Sequence, residues 1–410
     1  MAFAAPVLLS FRPQMSVAHT QAPSPAPVRV RVLSTDAEFA ALQADWERLQ
    51  SDAALTSVFQ AFDWPYLWWT FYGRGQPLSV LVASAGDEMV GVVAVYVQTV
   101  KMLKVPVRLL RFVGTGGDTG PDDLGPVLAR GREIEVARAL AEALIDLPGW
   151  DVLTLSDLNP ADPFVSAVAA VARGAGLPAV TGQSERISLM ALPETWDAWL
   201  LTLSGDRRYR VKKIRKKLHA AQPSRFFVWD DPATIDQGID RLIFLHHKRW
   251  KSIGARHGFD SPEYVGFHRA LMKACLARNR LRLYALEHAG QVIAMYYFYK
   301  FRDAVYLMQS GFDPDFSDVK PGQVLLGHIV EHAIGEKHKI LDFLKGDHRY
   351  KDELASGERE TVSVTAFRNT PGAWAYRARR IYLPAAKARF LELKRRFRPD
   401  DAAKADVKAE

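Results

Sequence analysis

Two stretches of the chain run through the same order of elements, and this repetition restricts the fold more than any other feature. Leu81-Val82-Ala83 precede Gly86 and Val90 to Tyr96 follow it, while Leu283 to Leu286 precede Gly290 and Val292 to Tyr297 follow it. A β-rich run on each side of a glycine predicts a hairpin, because glycine takes positive φ at little steric cost. Around the first hairpin, Thr35 and Glu38 form a capping-box signal for a helix carrying Phe39, Leu42, Trp46 and Leu49. A short helix follows with Trp64, Leu67 and Trp68, then strands over Leu78–Ser84, Met89–Val97 and Val105–Phe112. A Gly-rich, acidic loop from Gly114 to Asp123 leads to a helix over Ile134–Leu147 and a strand over Asp151–Ser156. The second copy reads as a helix over Glu263–Ala277, strands over Leu281–Leu286, Val292–Phe301 and Ala304–Ser310, a helix over Gly322–Ile334 and a strand over Lys339–Phe343. The expected architecture is a duplicated α/β unit with mixed, largely antiparallel sheets flanked by helices.

A chain of 410 residues is long for one core, so two domains are expected. The divisions read as a flexible leader over 1–27, a first lobe over 28–182, a second lobe over 183–370 and a basic helical tail over 371–410. Between the hairpins, Phe164–Ala172 predicts a helix, Arg186–Met190 a strand, and Pro193–Ala220 two helices split near Gly205. No apolar run reaches the roughly 18 residues of a membrane span. The apolar start has no basic region ahead of it, which argues against secretion, so a cytoplasmic enzyme is expected. The basic stretch Arg377 to Arg398 allows peripheral contact with the inner membrane or with a polysaccharide synthase. Cys275, the only cysteine, sits on an apolar helix face and reads as a buried structural thiol.

The net charge of +8 suits an anionic ligand. Its densest source is the segment holding Arg207, Arg208, Arg210, Lys212, Lys213, Arg215, Lys216 and Lys217, where Val211, Ile214 and Leu218 define one buried helix face. Arg208, Arg210 and Arg215 are candidates for phosphate contact. No helix-turn-helix, zinc finger or RNA-binding aromatic motif accompanies them, and P-loop and dinucleotide fingerprints are absent. His246 lies on a helix face with Leu242, Leu245 and Trp250 and is a candidate for lining a cleft. With no HExxH and no cysteine pair, a zinc site is not expected. Pro321-Gly322-Gln323 opens a helix whose first amides suit an anion, since Pro at the first turn loses no hydrogen bond. Asp342 stands in the apolar run Ile340, Leu341, Phe343, where a carboxylate needs partners or a wet cleft. Asp342 is expected to help deprotonate an amine, and Lys351 to stabilise charge on a carbonyl oxygen.

These residues carry a resemblance. Leu245-His246, Arg249-Trp250, Gly311-Phe312-Asp313-Pro314, Pro321-Gly322, Asp342-Phe343, Gly346 and Tyr350-Lys351 are similar to the GNAT-like acyltransferases related to the CelD protein of cellulose-biosynthesis loci, and more distantly to FemAB-type aminoacyltransferases. The resemblance implies tandem GNAT-like lobes with the active cleft in or beside the second. It implies transfer of an acetyl or other acyl group from acyl-CoA, bound only as a co-substrate, to an amine or hydroxyl on a small-molecule or saccharide acceptor. It adds Tyr350 to Asp342, Lys351 and His246 as catalytic candidates, and it sets Pro321, Gly322 and Gln323 on the cofactor side. The family's pyrophosphate loop, a Gln or Arg followed by GxG or GxA, is absent. Aminoacyl-tRNA is therefore the alternative donor, and a non-catalytic adaptor of an exopolysaccharide machine the alternative role.

Overall fold

The computed structural model describes residues 26–254, 258–346, 351, 354–384, 386 and 389. All but the last two residues of the expected leader, and most of the basic tail, lie outside these residues. The first half runs β1 (Val28–Leu33), α1 (Asp36–Ala41), α2 (Gln43–Asp52), α3 (Asp63–Tyr72), β2 (Leu78–Ala85), β3 (Glu88–Met102), β4 (Val105–Phe112), β5 (Val127–Leu128), α4 (Glu133–Asp146), β6 (Val152–Leu158), α5 (Pro163–Gly174) and β7 (Ala179–Ala191). The second runs α6 (Trp196–Thr202), α7 (Gly205–Ala221), β8 (Ser224–Val228), α8 (Ile235–Ser252), α9 (Pro262–Ala277), β9 (Leu281–His288), β10 (Gln291–Phe301), β11 (Ala304–Phe312), α10 (Pro321–Gly335), β12 (Ile340–Asp342), β13 (Gly357–Phe367) and α11 (Pro371–Arg377). The capping box forms: Glu38 N donates to Thr35 Oγ1 at 3.2 Å and Thr35 N to the Glu38 carboxylate at 3.1 Å. Among the described residues, no helix is long and apolar enough to cross a membrane.

Both predicted hairpins are present, and the strands join one sheet in the order β1-β2-β3-β4-β6-β13-β7-β12-β11-β10-β9-β8, with β5 beside β3. The order is palindromic about the β13–β7 pair, in keeping with the repeated order of elements in the sequence. At that centre the lobes exchange strands. β7 leaves α5 of the first lobe and pairs with β12 of the second, while β13 comes from the end of the second and pairs with β6 of the first. The expected boundary at 182/183 falls inside β7. The largest apolar core accordingly draws side chains from both lobes, including Phe39, Trp68, Leu140 and Phe164 from one and Leu245, Phe267, Tyr297 and Tyr299 from the other. Across the junction, Trp64 of α3 meets Phe267 of α9 edge-on at 5.1 Å.

Charges close the junction as well. Lys345 N donates to Asp122 Oδ2 at 2.9 Å, and its ammonium donates to Asp157 Oδ2 at 3.1 Å. Arg359 donates to Asp342 Oδ2 at 3.0 Å and to Asp123 Oδ1 at 2.8 Å. Burial pushes the Asp122 carboxyl up to about 7 against the pull of Lys345, and Asp123 up to about 6 against that of Arg359. In the unfolded chain both return to about 4, so between that pH and about 7 the fold holds more protons than the unfolded chain. Their contribution to stability therefore falls as pH rises through that window and levels off above it. We expect Asp122→Asn to gain stability relative to wild type as pH rises from about 4 to about 7, measured by urea unfolding at a series of pH values; a difference independent of pH overturns the assignment.

Candidate active site

The site begins where two strands part. β11 follows β10 as far as Phe312, with a register shift at Tyr297/Phe298 that leaves Met308 as an extra residue. It pairs with β12 only over Ala304, Val305 and Tyr306. Beyond Tyr306 the opened edge, Leu307 to Ser310, lines a cavity of about 360 Å³. The chain leaving β12 supplies the opposite wall through Phe343, Leu344 and Lys345, turning at Leu344 with φ +54°. The first lobe closes one side with Phe59, Trp64 and the loop Asp118-Thr119-Gly120.

Helix α8 lies directly on β11, and Gly311 makes this approach feasible: a Cβ there would stand 2.4 Å from the main-chain nitrogen of His246. The contact places two side chains on Ser310. His246 Nδ1 lies 2.8 Å from the Ser310 carbonyl oxygen, which can only accept, so Nδ1 carries the proton and Nε2 the lone pair. Arg249, one turn further on, donates Nη1–H to Ser310 Oγ at 2.9 Å and lies with its guanidinium 5.2 Å from the Phe312 ring centre. Both side chains line the cavity, with Trp250, Tyr264 and Gln309.

A second hollow, an apolar groove of about 310 Å³, runs between α7 and the start of α10. Val211, Ile214, Tyr296, Phe312 and Leu326 floor it, and Pro321, Gly322 and Gln323 form one end. Lys320 turns the chain into α10 with φ +54° and stands on the rim with Arg207 and Arg210. Arg249 lines this groove too, and so stands where groove and cavity meet.

The basic candidates thus separate. Arg210 faces the groove, whereas Arg208 donates to the carbonyls of Leu200 and Leu203 at the end of α6, at 2.9 and 3.2 Å. Arg215 pairs with Glu331 at 2.6 Å and lies over Trp196. Neither lines the groove. Arg207 and Arg249, which the sequence places in the basic segment and in the resemblance, and Ser310 are not among the candidate site residues read from sequence. The signal for Arg249 was its spacing, three positions after His246 on one helix face.

Asp342 and Lys351 line different hollows, although the Lys351 charge still reaches the Asp342 carboxyl. Along an extended chain successive side chains point oppositely, so Phe343 enters the His246 cavity while Asp342 enters a separate hollow of about 180 Å³ with Asp123 and Arg359. Asp342 is 3% exposed, with Oδ1 accepting from Leu344 N at 2.7 Å and Oδ2 from Arg359. Burial pushes its carboxyl up, against the pull of Arg359. Lys351 does line the His246 cavity; its ammonium, 5% exposed as a residue, donates to the carbonyls of Leu344 and Lys345 at 3.0 and 3.1 Å. Tyr350 lies outside the described residues. Among the described residues no set of His, Cys, Asp and Glu is placed to hold a metal.

Residues 205–352 match the acetyltransferase (GNAT) domain family. The second lobe is a GNAT-type acyltransferase domain. The activity that goes with it is transfer of an acyl group from acyl-CoA. No curated protein matches the chain. Among solved structures, that of FemX is similar, with a TM-score of 0.56 at 10% identity, over 83% of this chain and 98% of that one. A conserved protein of unknown function from Bacteroides thetaiotaomicron gives 0.52 at 11% identity, over 82% and 100%. At these identities the likeness is one of fold, and it extends over both lobes of the acyltransferase.

The seat of α8 on β11 is testable. Gly311→Ala forces the helix off the strand, and overpacking of this kind costs about 1–3 kcal/mol. We expect that loss in urea unfolding, together with lower acyl-transfer activity; a variant as stable and active as wild type removes Gly311 from the positioning of His246.

Proposed function

We propose that the enzyme transfers an acetyl or other acyl group from acyl-CoA, held in the groove at the start of α10, to an amine or hydroxyl held in the interlobe cavity. The meeting of groove and cavity at Arg249 carries this reading. In it the pantetheine arm lies along the apolar floor, and the phosphates face Arg207, Arg210 and Lys320. The acceptor approaches from the first-lobe side, and His246 Nε2 takes its proton. Trp64, Trp250 and Tyr264 give the cavity aromatic faces, and Gln309 and Asp118 give it polar ones. This mixture suits a sugar ring bearing an amine or hydroxyl, in line with a polysaccharide or envelope precursor. The narrower kinship with the CelD group rests on the sequence residues quoted for it. Use of acyl-CoA sets the reaction in the cytoplasm, with the basic tail available for contact with a membrane or a synthase.

One observation favours an aminoacyl-tRNA donor as the second reading. Lys212, Lys213, Lys216 and Lys217 are exposed along α7 beyond the groove, and among the described residues no carboxylate pairs with them. Such a row suits a polyanion longer than CoA. Competition by tRNA for CoA binding separates the two.

Turnover with acetyl-CoA across a panel of amines, amino sugars and neutral sugars tests the main reading. His246→Gln lacks the imidazole base and is expected to lower kcat by about a hundredfold or more, with CoA affinity unchanged. Gly322→Trp fills the end of the groove, where Phe312 and Tyr296 Oη already lie 3.6 Å from a Cβ position, and is expected to weaken CoA binding. Full turnover in the His246 variant removes it as the base, and unaltered CoA affinity in the Gly322 variant moves the donor elsewhere.

A further inference from the structure

We infer that Arg249 is the group that receives the negative charge of acyl transfer, and that Ser310 positions it. The inference rests on the donor reading above and adds the residue that acts on the transferred carbonyl. Three observations converge. Arg249 lines both the donor groove and the acceptor cavity, so the atom at which donor and acceptor meet lies beside its guanidinium. Among the described residues, no carboxylate pairs with it. Its polar contact is the Nη1 bond to Ser310 Oγ, and its ring contacts are with Trp250 and Phe312. A half-buried cation beside two aromatic rings, with most of its five N–H donors unspent, is an incomplete arrangement that an anionic oxygen completes.

The alternatives in the same wall are less well placed for this. Lys351 uses two donors on the carbonyls of Leu344 and Lys345. The Lys345 ammonium is committed to Asp157 and to the Pro121 carbonyl. Asp342, whose charge would repel an oxyanion, lies in the other hollow.

The acceptor nitrogen or oxygen adds to the thioester carbonyl carbon, and the carbonyl π pair moves onto oxygen beneath Arg249. His246 Nε2 takes the acceptor proton. Collapse restores the C=O bond, breaks the C–S bond and expels the CoA thiolate, which takes the proton from His246. Ser310 serves both partners, since its carbonyl fixes the tautomer of His246 and its hydroxyl fixes the direction of Arg249. Ser310→Ala therefore removes the hold on Arg249 and leaves the hold on His246.

Binding of two donor analogues tests the assignment without requiring the natural acceptor. S-carboxymethyl-CoA carries a carboxylate one bond beyond the carbon on which the oxyanion forms, and S-ethyl-CoA is neutral there. At fixed ionic strength, wild type is expected to bind the anionic analogue about tenfold more tightly, the worth of one charge-assisted hydrogen bond. Arg249→Gln is expected to abolish the ratio without weakening S-ethyl-CoA, Arg249→Lys to keep part of it, and Ser310→Ala to reduce it. With any accepted amine, Arg249→Gln lowers kcat rather than raising KM for acetyl-CoA, and in Arg249→Ala added guanidinium restores part of the rate. Ser310→Ala lowers kcat while the pH profile of kcat keeps its wild-type shape. A ratio near one in wild type that binds S-ethyl-CoA, or a ratio preserved in Arg249→Gln, overturns the role of Arg249 and leaves the donor reading standing. Failure of wild type to bind either analogue overturns the donor reading, and this inference with it.

Discussion

The length of β12 governs the site. The strand is Ile340–Asp342 and no longer, so β11 loses its partner after Tyr306. Main-chain groups freed in this way need other partners if they are buried. One such partner is a side chain: the Ser310 carbonyl accepts from His246. A longer β12 would have filled the opening with its own backbone, and the imidazole would have had neither its hydrogen bond nor its cavity. The chain after β12 bends away at Leu344, where a left-handed φ redirects it, and Lys351 ties that bend by holding two successive carbonyls.

Much of this fold was legible because it is written in short-range signals. Glycine turns, alternating apolar residues and the Thr35–Glu38 box gave the hairpins and the helices around them, and the structure has them in the predicted order. The edge strand β8 and the exchanged strand β13 went unread. In β13 the alternation at Val362, Val364 and Ala366 was available, but no pattern within an extended run says which lobe it will join. Register across a duplicated sheet is a long-range property. The same limit explains Asp342. That it needed a partner followed from its apolar neighbours, but the partner was Arg359, seventeen positions on and in a different strand, and the hollow it faces is set by strand parity rather than by composition. His246 was legible as a cleft residue from its helix face. The importance of Ser310 was not, since it works through a main-chain carbonyl and a hydroxyl that any serine possesses.

The basic helix shows how charge count overstates charge availability. Arg208 and Arg215 contribute to the sum as fully as Arg207 and Arg210, yet one is consumed by helix-end carbonyls and the other by Glu331 and Trp196. What remains for a ligand depends on where each cation sits. On α7, Arg207 and Arg210 line the groove and the lysines lie beyond it. The folded protein therefore offers anions a graded path, with the directional donors nearest the helix start and the more mobile ammonium groups outside.

The exchange of β7 and β13 has an architectural consequence. Each lobe completes its sheet with a strand contributed by the other half of the chain, so a cut between the lobes would leave both halves with an unpaired edge and an open core. Two copies tied in this way cannot drift apart as separable modules. One copy is free to lose chemistry of its own while remaining indispensable as scaffold, and here the first lobe lends the second a wall made of Phe59, Trp64 and the Asp118 loop. The two halves thus divide the labour, one walling the cavity and the other carrying the α8–β11 contact that holds His246 and Arg249 in it.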